Sequence, residues 1–218
     1  ACSDVQEQPS DSVNTNDEEP VVKEFTENRE ACLDRNPQRN LYFGDLHVHT
    51  SLSFDAWAYE IRVTPTEAYR FAKGEAVALP PLDENGAGTR QVKLNRPLDF
   101  AAITDHAELL AETMLCADPN SPAYNTARCT NYNQGGGNAV DALALVLGSD
   151  EPVRWEDICG LEGINCSKVG QQLWSELQEA TEQAYDRSEA CSFTAFHGYE
   201  YTSAQNISNQ HRNIIFRG

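Results

Sequence analysis

The chain has 218 residues, enough for one sizeable core or two small ones. With 40 % hydrophobic and 23 % charged residues it has the composition of a soluble globular protein, and no apolar run approaches the roughly 18–20 residues that span a bilayer. The formal net charge of −18 excludes bulk nucleic-acid binding, which needs Lys and Arg patches. It leaves room for a small phosphorylated substrate, because a bound divalent cation inverts the local field.

The first stretch, Ala1-Cys2-Ser3-Asp4 and onward, holds almost no apolar residue before Val21, and residues 3–20 carry six acids and no base. Such a segment cannot offset its chain entropy by burial, so residues 1–38 are expected to form a disordered tether. A cysteine at the head of a tether, preceded by a small residue, resembles a mature bacterial lipoprotein. On that resemblance Cys2 is a lipid anchor to the membrane. The protein is then exported, in the periplasm or on the outer membrane of a Gram-negative cell. The alternative is a chain boundary that happens to fall near a cysteine. Setting Cys2 aside leaves six of the seven cysteines, an even number. Cys116/Cys129 and Cys159/Cys166 lie close in sequence in polar stretches, and disulfides there suit an exported protein. No CxxC pair points to a zinc ribbon.

Order is expected to begin near Leu41. Leu41 to His49 reads as a strand entering a polar loop. Thr64-Pro65-Thr66-Glu67 carries a capping box and proline at the first helical position, predicting a helix to about Lys73. Residues 79–97 contain Pro80-Pro81, Asn85-Gly86 and Gly88 and read as a loop or short hairpin. Leu98 to Thr104 is a continuous apolar strand, buried on both faces, followed by a helix over His106–Met114. Residues 117–138 are polar and Gly-rich and read as an insertion. Ser167 can cap a long helix to about Arg187, with Val169, Leu173, Leu177, Ala180 and Ala184 on one face. Strands over Ser192–Tyr201 and Asn213–Phe216 complete the pattern. Strands alternating with helices describe an α/β fold, in which chemistry gathers at the carboxyl ends of the strands.

The chain has five histidines, all in or beside strand ends. His47 and His49 sit two apart, so a strand presents both on one face, where they can share a cation. Asp55 is either a further ligand or an ordinary turn acid. Asp105-His106 ends the buried strand. His106 is a metal-ligand candidate; Asp105 either orients an imidazole, moves a proton as a catalytic residue, or caps the next helix. Glu200 lies in an apolar, aromatic strand where a carboxylate is costly unless paired or metal-bound, and it can bridge two metals. His197, on the opposite face of that strand, is read as structural. His211 is a ligand candidate, and Arg212 is either a catalytic phosphate-binding residue or a surface arginine.

His47-Val48-His49-Thr50, Thr104-Asp105-His106, Glu200 and His211, in that order, resemble the successive motifs of the PHP (polymerase and histidinol phosphatase) superfamily. Four segments narrow this to a bacterial PHP-like family of unknown function: Tyr42 to Thr50, Thr64-Pro65 with Phe71 to Glu75, Gly198 to Thr202, and His211-Arg212-Asn213. The resemblance covers residues 39–218. It implies a distorted, TIM-like β/α barrel with two or three divalent cations, Zn²⁺ or alternatively Mn²⁺ or Fe²⁺. It also implies phosphoester hydrolysis by metal-activated water. On that carry-over His47 and His49 bind one metal, Glu200 bridges to a second that His211 joins, and Asp55 and His106 serve a third. PHP domains end on an Asp-x-His motif, and none follows His211. The resemblance therefore implies the amino-terminal part of a longer protein, partial in its barrel, and residues 1–218 alone are expected to bind metal weakly and to be inactive. Hydrolysis of a non-phosphate ester or amide, and a non-catalytic metal-binding lipoprotein, are the competing readings.

Overall fold

The structure, a computed structural model, describes residues 31–149, 151 and 153–216. The putting of Cys2 at a membrane anchor and most of the acidic tether lie outside the described residues. Of the stretch read as a tether, residues 31–38 are described: Cys32 is disulfide-bonded to Cys191, and Leu33 N–H donates to the Glu189 carbonyl at 3.0 Å.

In chain order the elements are β1 (Gly44–Val48), α1 (Phe54–Ala58), α2 (Pro65–Ala72), β2 (Val77–Leu82), β3 (Gly88–Val92), β4 (Phe100–Ile103), α3 (Leu110–Ala117), α4 (Ala127–Tyr132), α5 (Gly136–Leu147), α6 (Glu156–Cys159), α7 (Cys166–Ala184), β5 (Thr194–Phe196), β6 (Gly198–Ser203) and β7 (Gln210–Ile215). The central sheet has the order β1-β4-β5, all parallel, with β2–β3 and β6–β7 as separate antiparallel hairpins. The fold is α/β. A single parallel bridge, His106 to Glu200, docks β6 alongside the exit of β4. Asn213 Nδ2 reaches from β7 to the Leu46 carbonyl of β1 at 3.0 Å. That return is one side-chain bond rather than a ladder, so the described strands close no barrel.

Local chemistry explains most boundaries. Thr64 and Glu67 make the reciprocal capping box, with Pro65 at the first helical position, and α2 runs as its sequence predicts. The Pro80-Pro81 to Gly88 stretch is a hairpin. The helix expected over His106–Met114 starts later, at Leu110, because the backbone after Asp105 keeps pairing with β6: Glu200 N–H donates to the Asp105 carbonyl at 3.0 Å and Ala107 N–H to the Glu200 carbonyl at 3.1 Å. Leu109, with φ of 54°, then turns the chain into α3. Helix α7 is capped by Asn165, which accepts from Lys168 N–H at 3.0 Å, rather than by Ser167. The strand expected over Ser192–Tyr201 divides at His197, since its first half pairs with β4 and its second with β7.

Two cores result. One lies between the central sheet and the pair α2 and α7, where Ala68, Tyr69, Ala72, Leu177 and Ala184 meet Ala101, Ile103 and Ala195. The other is helical, built from Phe54, Ala123, Tyr132, Leu143, Trp155 and Ile158. It contains the stretch read as a polar insertion. Cys116 and Cys129 are fully buried and disulfide-bonded there, with Tyr132 buried in the same cluster, so few apolar positions are enough to pack α4 inward. The Cys159–Cys166 disulfide is also present.

Candidate metal centre

The site forms where the two cores meet, at the carboxyl ends of β1 and β4. Between Asp45 and Val48 the β1–β4 register slips by one residue, a bulge that spans Leu46 and His47. Bulges re-aim side chains beside functional sites; here His47 Nε2 reaches Glu200 Oε2 at 2.8 Å, and His49 Nε2 meets the same oxygen at 2.7 Å. The other oxygen, Oε1, contacts His211 Nδ1. Strand pairing arranges this: Thr202 lies opposite His211 and Glu200 opposite Asn213, so all four project from one face of the β6–β7 hairpin. Glu200 has no exposed surface, while the His47 and His211 side chains are 57 % and 41 % exposed, so a buried carboxylate forms the floor of an open rim.

Asp55 stands in the first turn of α1 rather than in a loop. Its carboxylate meets His49 Nδ1 at 2.9 and 3.0 Å and accepts from Ser53 Oγ at 2.6 Å. With Nδ1 donating to Asp55, the His49 lone pair sits on Nε2, toward Glu200. Asp55 Oδ2 also lies 3.6 Å from His106 Nε2, outside hydrogen-bond range and within reach of a shared cation. The His106 ring, almost wholly buried, stacks on Phe54 with centroids 4.3 Å apart.

Three overlapping triplets therefore have one ligand atom each within 4.8 Å of the others: His47, His49 and Glu200; His49, Asp55 and His106; and His106, Glu200 and His211. All six candidate ligands come together. The nitrogen and carboxylate donors fit Zn²⁺ or Fe²⁺, and the two carboxylates admit Mn²⁺. A fourth triplet, Glu112 with Cys159 and Cys166, does not fit a cation, since both sulfurs are in the disulfide and Arg154 Nε holds Glu112 at 2.8 Å.

The charges follow the contacts. Burial works against the Glu200 carboxylate, yet the His106 charge and the hydrogen bonds from His211, His47 and His49 hold its pKa below the ordinary range. Burial likewise opposes Asp55, and His106, His49 and Ser53 hold it well below. For His106 burial favours the neutral ring, but Asp55 and Glu108 raise its pKa to about 9. His49 is raised too, Asp55 outweighing burial.

The two residues read as catalytic belong to none of the triplets. Asp105 sits behind the site: its carboxylate accepts from the backbone N–H and, at 2.7 Å, the hydroxyl of Thr50, and among the described residues it makes no hydrogen bond to an imidazole. Burial pushes its pKa up to about 6, against those two bonds. Nor does it cap α3, which begins after Leu109. Arg212 follows His211 directly in β7, so strand alternation turns it to the opposite, exposed face. His197 bonds Glu182 at 3.0 Å, away from the cluster, as a structural residue does. Two residues outside the sequence-derived set also stand beside His106: Glu108, which accepts from Thr202 N–H at 2.7 Å, and Thr202, whose hydroxyl lies 2.8 Å from His106 Nδ1. An acid two residues past Asp105-His106 was the available signal for Glu108.

No curated protein and no solved structure matches the chain. The family described as "Protein of unknown function (DUF3604)" matches residues 36–218, most of the chain and every residue of the cluster. The chain belongs to that family, DUF3604.

Proposed function

We propose that this protein is a metal-dependent hydrolase, a phosphoesterase that acts on a small phosphorylated substrate. One observation carries the reading. Glu200 is fully buried and divides its two oxygens, Oε2 to His47 and His49 and Oε1 to His211, which is the arrangement of a carboxylate that bridges two cations. A buried carboxylate ringed by imidazoles is costly as a purely structural device. His47, His49 and Glu200 would hold one cation, Glu200 and His211 a second, and Asp55, which also fixes His49, would flank a third with His106. Bound there, a divalent ion would lower the pKa of water from 15.7 to about 7 and supply a nucleophile at neutral pH. The chain's own residues set the donor orientation and leave the rim at His47 and His211 open to substrate.

The parallel order β1-β4-β5, with candidate ligands at the carboxyl ends, supports a PHP-like β/α barrel. Three disulfides support export, and a lipid anchor at Cys2 is part of the same proposal. No helix among the described residues is long and apolar enough to cross a membrane.

The test is metal analysis of the purified protein, with turnover of phosphomonoesters, phosphodiesters and carboxyl esters measured on the full-length protein. Bound Zn²⁺, Mn²⁺ or Fe²⁺ with phosphoester turnover that His47→Ala and Glu200→Gln abolish is the expected result. Turnover of carboxyl esters alone favours the ester or amide hydrolase. Bound metal with no turnover favours a metal-binding surface protein.

A further inference from the structure

Glu108 belongs to none of the three triplets, yet it is aimed at one of their members. Its side chain is 16 % exposed. Oε1 accepts the Thr202 backbone N–H at 2.7 Å, which ties the segment after β4 to β6 two residues beyond Glu200. That bond alone would explain Glu108 as a packing residue. Oε2 is not explained by it: this oxygen is buried, makes no hydrogen bond among the described residues, and lies 3.7 Å from His106 Nδ1. The Thr202 hydroxyl lies 2.8 Å from the same nitrogen. One edge of the His106 ring thus faces a carboxylate and a hydroxyl, its flat face rests on Phe54, and its other edge, Nε2, faces Asp55.

An imidazole that binds a cation offers a lone pair from one nitrogen and carries its proton on the other, and the group facing the second nitrogen decides which is which. A carboxylate beside Nδ1 favours the proton there, and the Thr202 hydroxyl is placed to accept it. We propose that Glu108, acting with Thr202, is the positioning residue that holds His106 with its proton on Nδ1 and Nε2 turned to the cation site. The proposal rests on the metal-centre reading above and extends it to two residues outside the ligand set.

Co²⁺ alone is the probe, titrated into the chelator-stripped protein and followed by calorimetry and visible absorption. Thermal unfolding in chelator reports the fold separately. The isosteric Glu108→Gln keeps an acceptor for Thr202 N–H and removes the charge beside His106; Thr202→Val removes the hydroxyl and keeps the backbone N–H. Both are expected to weaken Co²⁺ binding about 10- to 100-fold, the usual cost of losing a residue that orients a ligating histidine, and to change the cobalt spectrum. Melting in chelator should stay at the unsubstituted value for Glu108→Gln. Normal Co²⁺ affinity and spectrum in Glu108→Gln overturn the proposal, as does a loss of affinity that appears only together with a lowered melting temperature. Glu200→Gln serves as the reference. If the unsubstituted protein binds Co²⁺ no better than this reference, the metal-centre reading fails and the role of Glu108 with it; if it binds well and Glu108→Gln matches it, only the positioning role fails.

Discussion

At the scale of single residues, Glu200 decides the character of the site. Replacing it with Gln keeps the shape but removes the charge that His47, His49 and His211 face, and with it the shared ligand of two triplets. Glu200→Gln should lower Zn²⁺ stoichiometry by more than one equivalent, read by elemental analysis after dialysis. His47→Ala, at the exposed rim, should cost one. The charges also predict how the metal-stripped fold responds to pH. Asp55 and Glu200 have lowered pKa values, so their stabilisation is present above about pH 4 and is lost as pH falls further. His106, raised to about 9, stabilises fully below about 6.5 and loses that contribution as pH rises through 9. Asp105, raised to about 6, favours the fold below about 4 and ceases to by pH 6, so it blunts the acid loss. Urea midpoints in chelator should therefore peak at about pH 4–5 and fall on the alkaline side, first through Asp105 and then through His106. Cation affinity should rise through pH 9 as His106 gives up its proton. That the six candidate ligands come together is legible in the sequence, because strand ends and histidine spacing are local signals. Arg212 was not, although alternation alone forbids His211 and Arg212 from sharing a face. The Thr50 partner of Asp105 is not legible, because burial looks the same in sequence whether a carboxylate faces a cation or a threonine.

At the scale of elements, the close approach of β1 to β4 matters more than either strand's propensity. A Cβ on Gly44 would lie 2.3 Å from both the Phe100 ring and the Phe100 carbonyl oxygen, so any side chain there pushes the strands apart. Gly44→Ala should cost about 1–3 kcal/mol in urea unfolding, the range for overpacking. It should also weaken Zn²⁺ binding, since β1 carries His47 and leads to His49; retained affinity at lowered stability would separate the strand contact from the site. The α2 capping box gives a contrasting case. Thr64→Ala should cost about 1 kcal/mol and leave cation binding unchanged, because among the described residues the Thr64 side chain bonds within its own helix start. Elements with local start signals, such as α2, were readable from sequence. Short helices α1, α4 and α6 were not. They lack a long periodic face, and their burial comes from Phe54, Cys129 and Ile158 packing into a core assembled from distant segments. The division of β5 from β6 was hidden for a related reason, since partner exchange at His197 leaves no mark in the hydrophobic pattern.

At the scale of the whole molecule, the even count of cysteines beyond Cys2 is compatible with disulfides, and the short separations pick out two of the three that form. The third joins positions that only the fold brings together. Cys32–Cys191 closes a separation of 159 residues, against 13 and 7 for the other two. In the chain-entropy account the constraint on the unfolded chain grows with loop length, giving about 5 kcal/mol for this bond and about 2–3 kcal/mol for each short one. The bond also fastens the start of the described chain next to β5, at the amino end of the central sheet, whereas the cation cluster lies at the carboxyl end. Stability and site should therefore separate. A Cys32→Ser, Cys191→Ser double variant should lose several kcal/mol in urea unfolding while its Co²⁺ affinity, measured well below the unfolding midpoint, stays at the unsubstituted value. A parallel loss of affinity would mean that the amino-terminal fastening transmits order along β1 to His47, and the two ends of the sheet would then have to be treated as one cooperative unit.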